Sequence, residues 1–125
     1  MIGGNPISAE IKIDKGTISI SNAVIAKLAG YTATQCYGVV GMCSRSSKDG
    51  IASLLKKENM DKGVRVKTEN NVIAITLYII VEYGLNIGTI GETIRSNVNY
   101  HVEKMSGMEA ESVQVNVDSV RIDHA

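Results

Sequence analysis

Apolar residues fall into two rhythms along this chain, and each rhythm assigns an element. Alternation begins at Ile11 and Ile13, which share a face, breaks at Asp14-Lys15-Gly16, and resumes at Ile18 and Ile20. Side chains on a strand alternate between faces, so this segment reads as a β-hairpin, or as a fraying lead-in strand followed by one firm strand. Ser21 or Asn22 then offers a side-chain oxygen to the free N–H groups of a helix start. Val24, Leu28, Tyr31 and Gln35 follow at helical spacing beside Ile25, Ala29 and Thr32, which predicts a first helix running to about Cys36. Gly30 lies inside it, either permitting a close helix contact or marking a kink.

Gly38 ends that helix, residues 39–43 are short, apolar and glycine-flanked as expected of a strand, and residues 44–50 form a polar loop. Ile51, Leu54 and Leu55 mark one face of a short helix closing with Lys56, Lys57 and Glu58, whose stability would depend on packing. Val64 and Val66 alternate with Arg65 and Lys67, residues 69–71 turn, and residues 72–83 return as the longest strand, paired antiparallel with the one before it. The return strand is apolar on both faces over residues 73–81. It is therefore expected at the centre of the sheet, with helices or another layer over both sides.

Gly84 breaks the strand. Ile87, Ile90, Ile94, Val98, Val102 and Met105 then recur at three- and four-residue steps, one face of a helix over residues 86–106 with Gly107 as its C′ residue. Val113, Val115 and Val117 alternate with Gln114, Asn116 and Asp118, and the apolar phase then shifts to Val120 and Ile122, as a bulge at about Asp118-Ser119 would cause. The predicted fold is one domain of the α/β (α+β) class: a two-layer sandwich with two main helices on a mixed or largely antiparallel sheet. The element order is β-α-β-(α)-β-β-α-β, with residues 1–9 and 123–125 expected to be flexible.

Composition narrows the function classes. Among 125 residues, 13 basic and 13 acidic side chains cancel, so the broad positive field that concentrates polyanions is missing and nucleic acid is not the expected partner. Phe and Trp are absent and Tyr numbers only 5, which leaves the core to Ile, Val, Leu, Ala and Met. The amino terminus lacks the basic and apolar regions of a secretory signal, and the strongest apolar run, residues 72–81, falls short of the ~20 residues that a membrane span needs. A cytoplasmic protein with no membrane span of its own is expected.

Candidate chemistry is sparse. Cys36 and Cys43 are not spaced as a redox pair, and two small buried thiols are expected. His101 and His124 have no clustered ligands around them, so no metal or cofactor is implied, and no Gly-x-Ser-x-Gly turn presents a nucleophile. No catalytic residue is expected. Gly38-Val39-Val40-Gly41 and Gly88-Thr89-Ile90-Gly91 match the Gly-x-x-Gly of KH domains but lack its basic residues and its place between two helices. Lys56, Lys57, Lys62, Arg65 and Lys67 form a local basic cluster, interrupted by Glu58 and Asp61, that reads as a solvated face or as a docking surface for an acidic partner.

Five segments in order carry a family likeness: Gly16-Thr17-Ile18-Ser19-Ile20-Ser21, Tyr37-Gly38-Val39-Val40-Gly41-Met42, Lys62-Gly63-Val64-Arg65-Val66, Val81-Glu82-Tyr83-Gly84, and Val102-Glu103-Lys104-Met105-Ser106-Gly107-Met108 leading into Val113-Gln114-Val115-Asn116-Val117. With them the chain resembles the alkaline shock, or envelope stress response, protein family of mainly Gram-positive bacteria. Gln35-Cys36-Tyr37 departs from the acidic and small or Pro residues expected there, at positions that look like helix termination. The resemblance implies a cytoplasmic protein without established enzymatic activity, linked to cell-envelope homeostasis and held at the membrane in some members by a separate anchor protein. It carries over no catalytic residue, and Gly63, Gly84 and Gly107 read as structural glycines. The expectation is a non-catalytic interaction protein, self-associating as a homo-oligomer and docking protein partners through a strand edge or helix face. The alternative is a KH-like or ferredoxin-like nucleic-acid-binding module built on the Gly-x-x-Gly segments and the basic cluster.

Overall fold

One strand organises the sheet. In a computed structural model describing residues 8–13, 16–44, 53–55 and 57–122, strand β6 (Val72–Glu82) has neighbours on both sides along its length. On one side β5 (Val64–Glu69) pairs antiparallel with its first half and β3 (Val39–Ser44) with its second, while β7 (Glu109–Arg121) runs parallel to it along the other side. The short β4 (Ser53–Leu54) adds to the outer side of β3. The hairpin reading of the amino-terminal segment holds: β1 (Ser8–Ile13) and β2 (Gly16–Ser21) pair antiparallel as a separate two-stranded sheet, whose connecting Asp14-Lys15 lies outside the described residues. The class is α+β with a mixed sheet, as the sequence predicts.

The β5–β6 hairpin closes through Asn70 and Asn71, with φ of 54° and 62°. Positive φ at both central residues matches the right-handed twist of the flanking strands, and Asn tolerates it better than most residues. At the far end, Glu82 N–H donates to Gly38 O at 2.9 Å and Tyr83 N–H to Arg121 O at 2.9 Å, which ties three strand ends together.

Helix α1 (Asn22–Thr34) starts at Ser21, whose Oγ accepts from Val24 N–H, while Asn22 reaches sideways to β5. There Asn22 Oδ1 accepts from the Thr68 hydroxyl at 2.9 Å, and its Nδ2 donates to Val66 O at 3.3 Å. Of the two sequence stripes, Ile25, Ala29 and Thr32 face inward together with Ala26 and Ala33, whereas Val24 and Tyr31 are about half exposed. Small residues on the inner stripe let α1 lie close to the strands; Leu28 and Tyr31 on the other would hold it away. Helix α2 (Ile87–Ser106) is capped by Asn86 Oδ1, which accepts from Thr89 N–H at 3.0 Å, and ends at Gly107 in the left-handed region (φ 75°), the conformation that favours glycine. Ile90, Ile94, Val98 and Val102 are buried, while Ile87 and Met105 at the ends of that stripe are exposed.

Two expectations need correction. The predicted short helix around Leu54 and Leu55 is instead β4 followed by a 3-10 segment, Lys57–Gly63, interrupted at Asn59; Ile51 and Lys56 lie outside the described residues. Edge pairing wins over local propensity here: Leu55 N–H donates to Met42 O at 2.8 Å, continuing the ladder on β3. The second correction concerns layers. Both helices lie over one face of the sheet, against Ile73, Ile75, Leu77, Ile79 and Val81, all fully buried. On the opposite face Ala74, Thr76 and Tyr78 are half-buried, and Ile80 alone of that set is buried. Small and polar residues at 74, 76 and 78 make a second helical layer unnecessary, which apolarity averaged over both faces concealed. The phase shift near the C-terminus is the predicted bulge: Val117 pairs with Ile79 and Ser119 with Ile80, leaving Asp118 as the extra residue.

Ile94 and Ile87 occupy the same sequence stripe in different environments. Ile94→Ala should lower unfolding free energy by about 2–5 kcal/mol in urea denaturation, and Ile87→Ala by less than about 1 kcal/mol, because only the first leaves a cavity. Equal losses would place both in the core.

Candidate functional site

The basic cluster is only partly gathered. Lys56 lies outside the described residues, Lys57 opens the 3-10 segment, and Lys62, near its end, is exposed. Arg65 and Lys67 stand opposite Thr76 and Ala74, so their exposed side chains belong to the sheet face that no helix covers. Glu69 follows Lys67 on that face, and Lys67, Glu69, Ala74, Glu111 and Ser112 border one shallow depression. The positive charge is thus interleaved with carboxylates, which suits contact with a surface of mixed sign better than a polyanion.

The three structural glycines fill distinct roles. A Cβ on Gly63 would stand 2.9 Å from Cys43 O and 3.0 Å from Met42 Cβ, so this position lets the chain entering β5 pass against β3. Gly84 (φ 94°) turns the chain out of β6 and Gly107 ends α2. Of the Gly-x-x-Gly segments, Gly88–Gly91 lies in the opening turns of α2 and Gly38–Gly41 in a turn running into β3. Neither joins two helices.

The thiols are apart and unlinked. Cys36, beyond α1, donates from Sγ to Thr32 O and accepts from Asn97 Nδ2, both at 3.5 Å, which couples α1 to α2. Cys43, on the face away from the helices, donates to Asp118 Oδ2 at 3.6 Å, joining β3 to the β7 bulge. Exposed His101 sits edge-on to Tyr100 and borders a small groove between the helices with Leu28, Tyr31, Gln35 and Asn97. Among the described residues no three of His, Cys, Asp and Glu converge as a metal site would require, and no helix is long and apolar enough to cross a membrane. His124 lies outside the described residues.

The feature that sequence reading left undefined is the outer side of β7. Among the described strands only β6 pairs with it, so one side of a 13-residue strand keeps its row of backbone N–H and C=O groups without a neighbouring strand. The corner leading into it is firmly built: Ser106 Oγ donates to Val102 O and accepts from Met108 N–H, and Ala110 N–H donates to Glu103 Oε2 at 3.0 Å. The pattern indicated a strand here but not its edge position, which follows only from β6 pairing with β3 and β5 on its other side.

A model of the alkaline shock protein family, described as having a cell envelope-related function, matches residues 10–122. The chain belongs to the alkaline shock protein family. Its similarity to YloU of Bacillus subtilis is 42% identity over 117 residues, 93% of this chain and 98% of YloU. Spy1614 of Streptococcus pyogenes is 37% identical over 93% of this chain and 97% of its own. Streptococcal proteins described as stress response regulator gls24 homologues are 25% identical over 86% of this chain, which spans 60% of their length. The resemblance drawn from the five segments is thereby confirmed, with a cell-envelope-related function at the level of the family.

In this alkaline shock family chain Cys36 and Cys43 are both buried, at 7% and 0% exposure. A thiol reagent such as DTNB should react with neither at an appreciable rate in the native protein and with both in urea. Rapid native labelling would contradict the packing described above.

Proposed function

We propose that this chain is a non-catalytic cytoplasmic interaction protein that supports the cell envelope under stress. It works by self-association and by docking protein partners, one of them a membrane-anchor protein that brings it to the membrane. The reading rests on the envelope-related family and on the stress-regulator names of more distant relatives. The observation that carries it is the long outer side of β7, since an unprotected strand edge is a template for pairing with another chain. The interleaved Arg65, Lys67, Glu69 and Glu111 on the uncovered sheet face offer a second, polar surface for a partner.

Purified full-length protein in multi-angle light scattering should show a mass above the 13.4 kDa of one chain, rising with concentration as a mass-action equilibrium. A strict monomer at the highest attainable concentration would remove self-association from the proposal.

A further inference from the structure

The two ends of the sheet are treated differently. At one end the sheet stops at β4, only 2 residues long and too short to give a neighbouring chain much to pair with, and at the 6-residue β5, where Asn22 of α1 donates to Val66 O and accepts from Thr68. At the other, β7 runs for 13 residues. Its middle, residues 112–117, reads Ser-Val-Gln-Val-Asn-Val, with none of the charges, prolines or glycines that natural edges use to repel a second strand.

Its register with β6 sorts the side chains. Ala110, Val113, Val115, Val117 and Val120 stand beside Ile73, Ile75, Leu77, Ile79 and Val81 on the helix side. Glu109, Ser112, Gln114, Asn116, Ser119 and Arg121 lie on the open side, and Glu111 and Asp118 are the bulged residues between the two interrupted registers. About Val115 this order is symmetric, with alternating faces, one bulge on each arm, and charges of opposite sign at the two ends, where Glu109 and Arg121 are both exposed.

We propose that β7 pairs antiparallel with β7 of a second copy of this chain about a two-fold axis at Val115. The proposal rests on the self-association put forward above and names the edge and register that carry it. In this register Val115 meets its own counterpart, Val113 meets Val117, Gln114 meets Asn116, Ser112 meets Ser119, and Glu109 meets Arg121 of the second copy. Every pair off the axis occurs twice by symmetry, and the Val115 pair on it once. Directly opposite residues on antiparallel strands share a face, so valines meet valines on the helix side and opposite charges meet on the open side. Centring on Val113 or Val117 instead shortens the ladder and sets Glu109 against Asn116, or Arg121 against Gln114. Half-buried Val115 and Val117, which line a shallow recess with exposed Ile87, lie along the flank that the second copy covers.

Disulfide trapping reads the register. Val115→Cys, oxidised with copper phenanthroline, should give a covalent dimer on a non-reducing gel, because only a residue on the axis meets its own counterpart. Ser112→Cys and Ser119→Cys alone should stay monomeric on the gel, and the double variant should cross-link. Circular dichroism checks that each variant is folded. As a readout without cysteine, Glu109→Arg or Arg121→Glu should weaken dimerisation several-fold and the double exchange should restore it. Cross-linking of Ser112→Cys as readily as Val115→Cys, or of neither Val115→Cys nor the double variant while light scattering still reports an oligomer, overturns this register and leaves self-association standing. A chain monomeric at every concentration overturns both.

Discussion

Burial of β6 is the constraint on which the other elements depend. Ile73, Ile75, Leu77, Ile79 and Val81 are fully enclosed, and enclosure requires β5 and β3 end to end on one side, β7 on the other, and two helices above. Burying one such side chain is worth about 1.5–3 kcal/mol, so this row outweighs local preferences elsewhere in the chain. It explains why residues near Leu54 follow the edge of β3 instead of closing a helix, and why α1 turns its alanine-rich stripe inward. With neither Phe nor Trp, the protein fills the core with β-branched side chains on the sheet and small ones on α1, which keeps the layers close.

The same constraint decides which surfaces remain. Enclosing one face of β6 with both helices leaves the other to Ala74, Thr76 and Tyr78, with Arg65 and Lys67 beside them on β5. A sheet face of small and polar side chains tolerates water and can also receive a flat partner. Cys36 couples α1 to α2, Cys43 joins β3 to the β7 bulge, and His101 lies on an exposed helix surface beside an aromatic ring. What the fold presents is contact area and backbone edge, in a family described as having a cell envelope-related function.

Most elements were legible because their signals are local. Asn70-Asn71 forces a two-residue turn, Asn86 and Gly107 bracket α2, and the displaced valine phase after Asp118 marks a bulge, each read from neighbours in the chain. What stayed hidden depends on distant residues. Whether Ile25 or Val24 faces inward is settled by how near α1 must come to the strands, and both stripes are apolar enough to serve. Lysines announce a docking surface through charge density, whereas an open strand edge consists of backbone groups and has no side-chain signature. Only the pairing of β6 with β3, β5 and β7 together exposes it.

An unguarded edge is ordinarily a hazard, and the form of this one bears on what it can build. Two identical strands that pair antiparallel consume both edges, so the assembly closes at two copies unless a second surface joins in. The bulges at Glu111 and Asp118 favour closure because each bends β7 and increases its twist, confining the straightest pairing to residues 112–117 and denying a long flat template to fibre growth. On the opposite side β4 offers 2 residues and β5 offers 6, against the 13 of β7. For the dimer proposed above, this asymmetry favours closure, with one edge open over a limited span and self-complementary in charge and the opposite side offering only shorter strands. Any larger scaffold would then need a different surface, and the open sheet face bearing Arg65 and Lys67, which lies beside the β7 edge without being consumed by it, is placed to supply one.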